Sequence, residues 1–159
     1  MTQKQNKLRG FTIVELLIVI VVIAILAAIT IVAYNGVQQR ANVSATQGNV
    51  TILQKKMEAF NAVTNAYPAS GTAASVVTAL NTQTESNLGG SISLLARAGI
   101  TTGNGKTTFT MDICSAPAGA TGYRIYYWDY NAGSLPASGS PQITAGTNST
   151  ACTTWTALT

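Results

Sequence analysis

A single ionisable side chain interrupts the long apolar run that begins at Phe11. The run reads FTIVELLIVIVVIAILAAITIVA to Ala33, holds no Gly or Pro, and contains Glu15. A carboxylate in apolar surroundings needs a partner. The preceding residues offer one: Lys4, Lys7 and Arg9 form a basic leader that ends at Gly10. Cleavage after Gly10 would free an α-amino group on Phe11, and an ammonium and a carboxylate attract strongly in a low dielectric. The plainer alternative is a Glu15 side chain that reaches back to the headgroups. The other pair with chemistry is Cys114 and Cys152, the sole cysteines. In an oxidising compartment they have one mutual pairing, and the alternative is two buried free thiols.

The rest of the composition excludes more than it offers. The chain has 159 residues, a size that suits one domain, and no histidine. Ser-His-Asp and Cys-His catalysis and His-ligated metals are therefore out. In the head the acids Glu58, Glu85, Asp112 and Asp129 form no clustered pair in sequence. We assign no catalytic, cofactor-binding or metal-ligating residue and expect no enzyme. The net charge is +4, of which the leader supplies +3, so the basic character is largely a property of the N-terminal tip.

The apolar run is the element that must place Glu15. Its 23 residues would span about 34 Å as a helix, enough for a hydrocarbon core of about 30 Å. Many are β-branched, which in water favours strand. In lipid a lone segment satisfies its backbone only as a helix. Sixteen Leu, Ile, Val and Phe residues between Phe11 and Val32 favour insertion by roughly 5 to 10 kcal/mol. That outweighs a carboxylate whose cost even at the helix centre is about 2.5 to 3.5 kcal/mol. The basic leader puts the N-terminus in the cytoplasm. A cleaved secretory signal has a shorter apolar core, without an acid.

The stretch Arg9-Gly10-Phe11-Thr12-Ile13-Val14-Glu15-Leu16 resembles the class III signal of type IV pilins and related prepilins. The resemblance covers roughly residues 1 to 35. It implies that a membrane peptidase cuts between Gly10 and Phe11, that Phe11 is N-methylated, and that Glu15 of one subunit neutralises the Phe11 amine of a neighbour during assembly. Many members of that family carry a Pro where this chain has Val32 and a Gly near Ala24, so here we expect no break in the helix before Gly36.

Beyond Ala33 the helix continues. Val43, Val50, Leu53, Met57 and Phe60 mark one helical face, and a stop is expected near Thr64. Thr72 is placed to cap a short helix through Val76, Val77 and Leu80, and a second short helix is expected around Leu94 and Leu95. From Lys106 the pattern alternates, with Thr108, Thr110 and Asp112 against Phe109, Met111 and Ile113. A turn at 117–121, a strand at 123–130, a loop at 131–147 and a last strand at 150–158 complete a three-stranded antiparallel sheet. Alternation sets Tyr126, Trp128 and Tyr130 against Tyr123, Ile125 and Tyr127; the expected reading is packing of both faces on the helix and the disulfide loop, and the alternative is surface stacking on sugars or host molecules. A Cys114–Cys152 bridge, similar to the C-terminal disulfide loop common in pilins, would stabilise the fold by roughly 4 kcal/mol. Asn42, Asn49 and Asn148 open N-glycosylation patterns that carry little weight in a bacterial chain.

The expected fold class is α+β: a long N-terminal helix, its first half transmembrane and filament core, packed by its second half on a small antiparallel β-sheet head. The expected divisions are a leader at 1–10, a transmembrane and polymerisation helix at 11–35, its amphipathic continuation at 36–66 and a globular head at 67–159. Within the head, 67–105 is a variable loop and 106–159 the sheet and disulfide loop. The resemblance implies a structural subunit of a type IV pilus for adhesion, twitching motility or DNA uptake. The alternatives are a minor pilin or pseudopilin of a secretion or competence system, or an unprocessed anchored binding domain. Implied partners are further copies of the chain, a prepilin peptidase and methyltransferase, an assembly platform with minor pilins, and the membrane before assembly. DNA is a weaker candidate, through alignment of Lys55, Lys56, Arg97, Lys106 or Arg124. The implied location is the cytoplasmic membrane, then a surface pilus.

Overall fold

The computed structural model describes residues 10–69, 71–116, 121–146 and 149–159. The leader cations Lys4, Lys7 and Arg9, most of the expected turn at 117–121 and Asn148 lie outside the described residues. Helix α1 spans Ile13–Thr64, 52 residues. The chain divides into two compact units, Met1–Gln38 and Gln39–Thr159.

In the first unit the large apolar side chains from Phe11 to Val37 are all exposed, the least so being Val21 and Val22 at 47 %. A stripe facing a protein core would bury one side of the helix. Exposure on every side is the pattern of a segment whose solvent is lipid or other helices. The helix runs through Gly36 without interruption, as the absence of proline leads one to expect.

In the second unit α1 changes character. Thr46, Val50, Leu53, Met57 and Phe60 are buried at spacings of three and four. Thr46 holds the buried position expected of Val43, which is half-buried. The Thr46 hydroxyl donates to Asn42 O at 2.9 Å, which lets a polar side chain enter the core without an orphan donor. The helix ends at Thr64, where Asn65 adopts φ 56° and its N–H donates to Asn61 O at 2.7 Å. An Asn in the left-handed region supplies the stop that glycine more often provides.

Helix α2, Ala73–Asn81, starts where expected: Thr72 is its N-cap and accepts the Ser75 N–H at 3.1 Å. Val76 and Leu80 from α2 are fully buried. The second short helix does not form around Leu94. Ser93–Leu94 is instead strand β1, and a single 3₁₀ turn follows at Arg97–Gly99. Leu94 is buried because β1 lies parallel to β2, with Ser93 opposite Thr108 and Leu94 opposite Phe109.

The sheet has five strands and is mixed. Strand β2 (Thr108–Ala116) lies at its centre. Antiparallel β3 (Tyr123–Tyr126) flanks one edge, with Asp112 opposite Arg124. Both β1 and antiparallel β5 (Thr154–Ala157) flank the other, β1 at the start of β2 and β5 at its end. Strand β4 (Ile143–Ala145) pairs with β3 inside the stretch expected to be loop. Strand β3 stops at Tyr126, four residues short of the aromatic run, because the chain turns back in an Asp129–Ser134 bridge.

Alternation sends Phe109, Met111, Ile113, Tyr123 and Ile125 into the core shared with α1 and α2. The opposite face is covered as well: Thr108, Thr110, Asp112 and Tyr126 are all buried. The Tyr126 hydroxyl donates to Asp112 Oδ2 at 2.6 Å, Gly139 N–H donates to Tyr126 Oη at 3.3 Å, and the Arg97 guanidinium lies 4.7 Å from the Tyr126 ring. Burial pushes the Tyr126 hydroxyl above its ordinary range, and its bond to Asp112 adds to the rise.

Candidate functional site

The residues singled out for processing and assembly lie within one helical turn. Thr12 precedes α1, and Ile13, Val14 and Glu15 form its first three positions. Glu15 N–H donates to Thr12 Oγ1 at 3.2 Å, while Thr12 N–H donates to Glu15 Oε2 at 2.9 Å. The Thr12 hydroxyl also donates to Oε2 at 2.7 Å. This reciprocal pair is a capping box: two helix-end donors, which have no partner inside the helix, are satisfied by each other's side chains. The carboxylate also sits at the positive end of the helix dipole. A Thr followed three residues later by Glu, ahead of an apolar run, is the sequence signal of such a box.

Among the described residues, the hydrogen bonds to the Glu15 side chain all use Oε2. Phe11 lies just outside the helix and is 86 % exposed, and Gly10 has open space around it. The Gly10–Phe11 peptide bond is thus accessible and not committed to helix.

The remaining predicted pair, Cys114 and Cys152, lies in the second unit and forms a disulfide, with Cα atoms 5.9 Å apart. Cys114 is on β2 opposite Trp155 of β5, and Cys152 follows a 3₁₀ turn at Ser149–Ala151. The bridge therefore ties the segment entering β5 to the central strand. Beside it the Arg124 guanidinium stacks 4.0 Å from the Trp155 ring, linking β3 to β5 across β2. Of the cations offered for a basic stripe, Arg97 and Arg124 are thus engaged with aromatic rings, and Lys56 Nζ donates to Glu85 O at 2.9 Å.

A second acid matters to how the head is held. Glu58 on α1 accepts the Tyr67 hydroxyl at 2.8 Å on Oε2 and the Tyr123 hydroxyl at 2.9 Å on Oε1. The two rings meet edge to face with centroids 5.2 Å apart. One carboxylate thus fastens α1 both to the segment that follows it and to β3. Burial, reinforced by the bond to Glu58, pushes the Tyr123 hydroxyl far above its ordinary range. Nothing in the linear pattern joins residues 58, 67 and 123. Among the described residues no group of three or more His, Cys, Asp or Glu could hold a metal ion.

The family described as the prokaryotic N-terminal methylation motif matches residues 5–31. No curated protein and no solved structure matches the chain. The motif is the class III signal of type IV pilins, so the chain is prepilin-like, and it joins that signal to an apolar helix, a small mixed sheet and a disulfide. The match stops in the first half of α1, and the head stands on its own geometry.

Proposed function

We propose that the chain is the precursor of a structural subunit of a type IV pilus, a surface filament built by polymerisation of its N-terminal helix. Residues 1–10 are the leader, cut between Gly10 and Phe11, after which Phe11 is methylated. Residues 11–35 hold the subunit in the membrane and later form the filament core. The continuation at 36–66 carries the disulfide-bonded head, 67–159, outside the cell. The partners this reading requires are a prepilin peptidase and methyltransferase, an assembly platform and further copies of the chain.

The observation that carries the reading is the methylation motif at 5–31 placed directly ahead of a helix that is apolar on every side. A plain anchor accounts for the apolar surface and, through the helix cap, for Glu15, but has no use for the methylation motif ahead of it. Glu15 is suited to the assembly role because Oε2 completes its own helix cap and leaves Oε1 for the ammonium of a neighbouring Phe11. The deciding experiment is intact mass and N-terminal sequencing of material sheared from cells. Polymers whose subunits begin at a methylated Phe11 are expected. Extracellular material found only as full-length or differently trimmed monomers would overturn the proposal.

A further inference from the structure

The sheet of the head has two open ends. Strands β1 and β4 stand at opposite ends of the order β1-β2-β3-β4, and among the described residues no strand pairs with the outer side of either. An open edge is a template for pairing with another chain, and natural edges are commonly guarded by charge, proline or a covering element. Ser93–Leu94 and Ile143–Ala145 contain no charged residue and no proline. Beside β1 lies a groove of about 580 Å³, bordered by Ala74 and Val77 of α2 and by Leu94 and Leu95, and none of its lining residues is charged. Leu95 is 40 % exposed there. The segment that carries β4 suits such a groove, because the chain holds no charged residue after Asp129.

The ladders fix what each edge offers. Ser93 N–H donates to Thr107 O at 2.8 Å and Leu95 N–H to Phe109 O at 3.0 Å, so the N–H and C=O of Leu94, between them, turn to the outer side. Cys114 N–H donates to Gly122 O at 3.0 Å, so alternation turns the backbone of Arg124 toward β2 and the backbones of Tyr123 and Ile125 toward β4. Their partners Ala145 and Ile143 are bonded inward, which leaves the N–H and C=O of Thr144 facing outward. The edges also match in direction and in side. Strand β1 runs parallel to β2, and β4, antiparallel to β3, runs parallel to both. Ser93 lies opposite Thr108, and Thr144 lies opposite Arg124 in line with Asp112, so Ser93 and Thr144 share one face, and both are exposed. Leu94, Ile143 and Ala145 are on the other face, toward the core.

We propose that β4 of one copy adds in parallel to the outer edge of β1 of the next, so that the sheets of successive heads join head to tail. This rests on the pilus reading. A copy displaced without being turned over brings β4 to β1 with strand directions and core faces already in agreement. Leu94 then lies beside Ile143 or beside Ala145, and in either register it shares one main-chain hydrogen bond with Thr144. Pairing of unlike edges leaves one of each kind free and continues without limit, as a filament requires, whereas pairing of like edges closes a dimer. So short a ladder is weak alone. The N-terminal helices that hold the copies together supply the effective concentration that makes it form.

The test combines Ser93→Cys and Thr144→Cys in the full chain and treats sheared filaments with a short bismaleimide, to which the Cys114–Cys152 disulfide is inert. Paired strands lie about 5 Å apart, within reach of the linker. A ladder of dimers, trimers and larger products is expected, and none from either single variant. Two edge variants read the same contact through yield. Thr144→Pro removes only an outward N–H and sets a ring on the edge, a place where strands tolerate proline. Leu95→Lys puts a charge into the uncharged groove. Each should lower filament yield about tenfold or more while the melting temperature of the head stays near that of the parent. Filaments that begin at Phe11 yet give no ladder would overturn the proposal and leave the pilus reading standing. Products that stop at dimers, or that arise from Thr144→Cys alone, would mean that like edges meet and would overturn it too, as would parental yield from both edge variants. A parent chain that never polymerises would overturn both readings.

Discussion

Glu15→Gln and Glu15→Ala separate the helix cap that the geometry shows from the pairing with a neighbour proposed for the same carboxylate. Gln at the third helical position keeps an acceptor for the Thr12 N–H and hydroxyl, so the capping box survives, but the charge is lost. Ala removes both. Loss of a helix cap costs about 1 kcal/mol. Removing one partner of a buried ion pair costs about 3 to 5 kcal/mol, because the other charge is left uncompensated. At about 1.4 kcal/mol per factor of ten, that is a loss of about two to three and a half orders of magnitude in the association constant for each subunit added. If Glu15 acts on a neighbour's Phe11 ammonium, both variants should be cleaved after Gly10, and both should yield filaments below one part in about a hundred of the parent. If the cap is what assembly needs, Gln should assemble as the parent does and Ala should fall short by about a factor of five. The assay is immunoblotting of sheared filaments against whole-cell protein, with mass spectrometry confirming cleavage in each variant. Normal filament yield from Glu15→Gln would refute the charge-pairing argument.

Three further outcomes follow from the head. Reducing Cys114–Cys152, or replacing both residues with Ser, opens a loop set by a sequence separation of 38 and should cost about 4 kcal/mol, lowering the melting temperature by on the order of 15 °C in a calorimetric scan. The raised Tyr123 hydroxyl makes stability depend on alkaline pH: the folded state keeps a proton that the unfolded chain releases near its ordinary value, so the contribution is complete below about pH 10 and declines above it by up to about 1.4 kcal/mol per pH unit. Urea titrations on both sides of that point should show the decline, and Tyr123→Phe should make it shallower while costing about 0.5 to 1.5 kcal/mol at neutral pH. Gly146→Ala should destabilise the head, because Gly146 has φ 121° and a Cβ there would strike Gly122 Cα, whereas Gly36→Ala meets open space and should be neutral or slightly stabilising. Thermal melts of the two alanine variants, measured side by side, check both signs.

What the sequence made legible was governed by local rules. Apolar residues on every side of residues 11–33, the 3.6-residue stripe through Leu53 and Met57, the Thr72 cap and the alternation through Phe109, Met111 and Ile113 each depend on neighbours within a few positions. What it concealed depended on distant partners. Leu94 reads equally as helix or strand until Phe109 is beside it, and β4 is three residues of unremarkable composition until Tyr123 to Ile125 give it a ladder. The Glu58 clamp joins three residues across 65 positions and could not be read locally. The capping box is local as well: Thr12 and Glu15 stand three residues apart, and that spacing ahead of an apolar run is its signature.

That local partner changes what the acid can do. A carboxylate with no partner would favour the neutral form in lipid and present no charge to a neighbour. Three contacts with Thr12, two of them accepted by Oε2, hold the Glu15 side chain at the positive end of its own helix while its other oxygen has no partner among the described residues. Thr12 is then a positioning residue for Glu15, and Thr12→Val should impair assembly even though it leaves the charge in place. The variant removes the hydroxyl but keeps the backbone N–H, so helix content should change little while the carboxylate loses one of its two donors and the cap loses its acceptor. Thr12→Ser, which restores the hydroxyl, should restore filaments. Equal yields from the Val and Ser variants would mean that the box orients nothing, and that Glu15 finds its partner by charge alone.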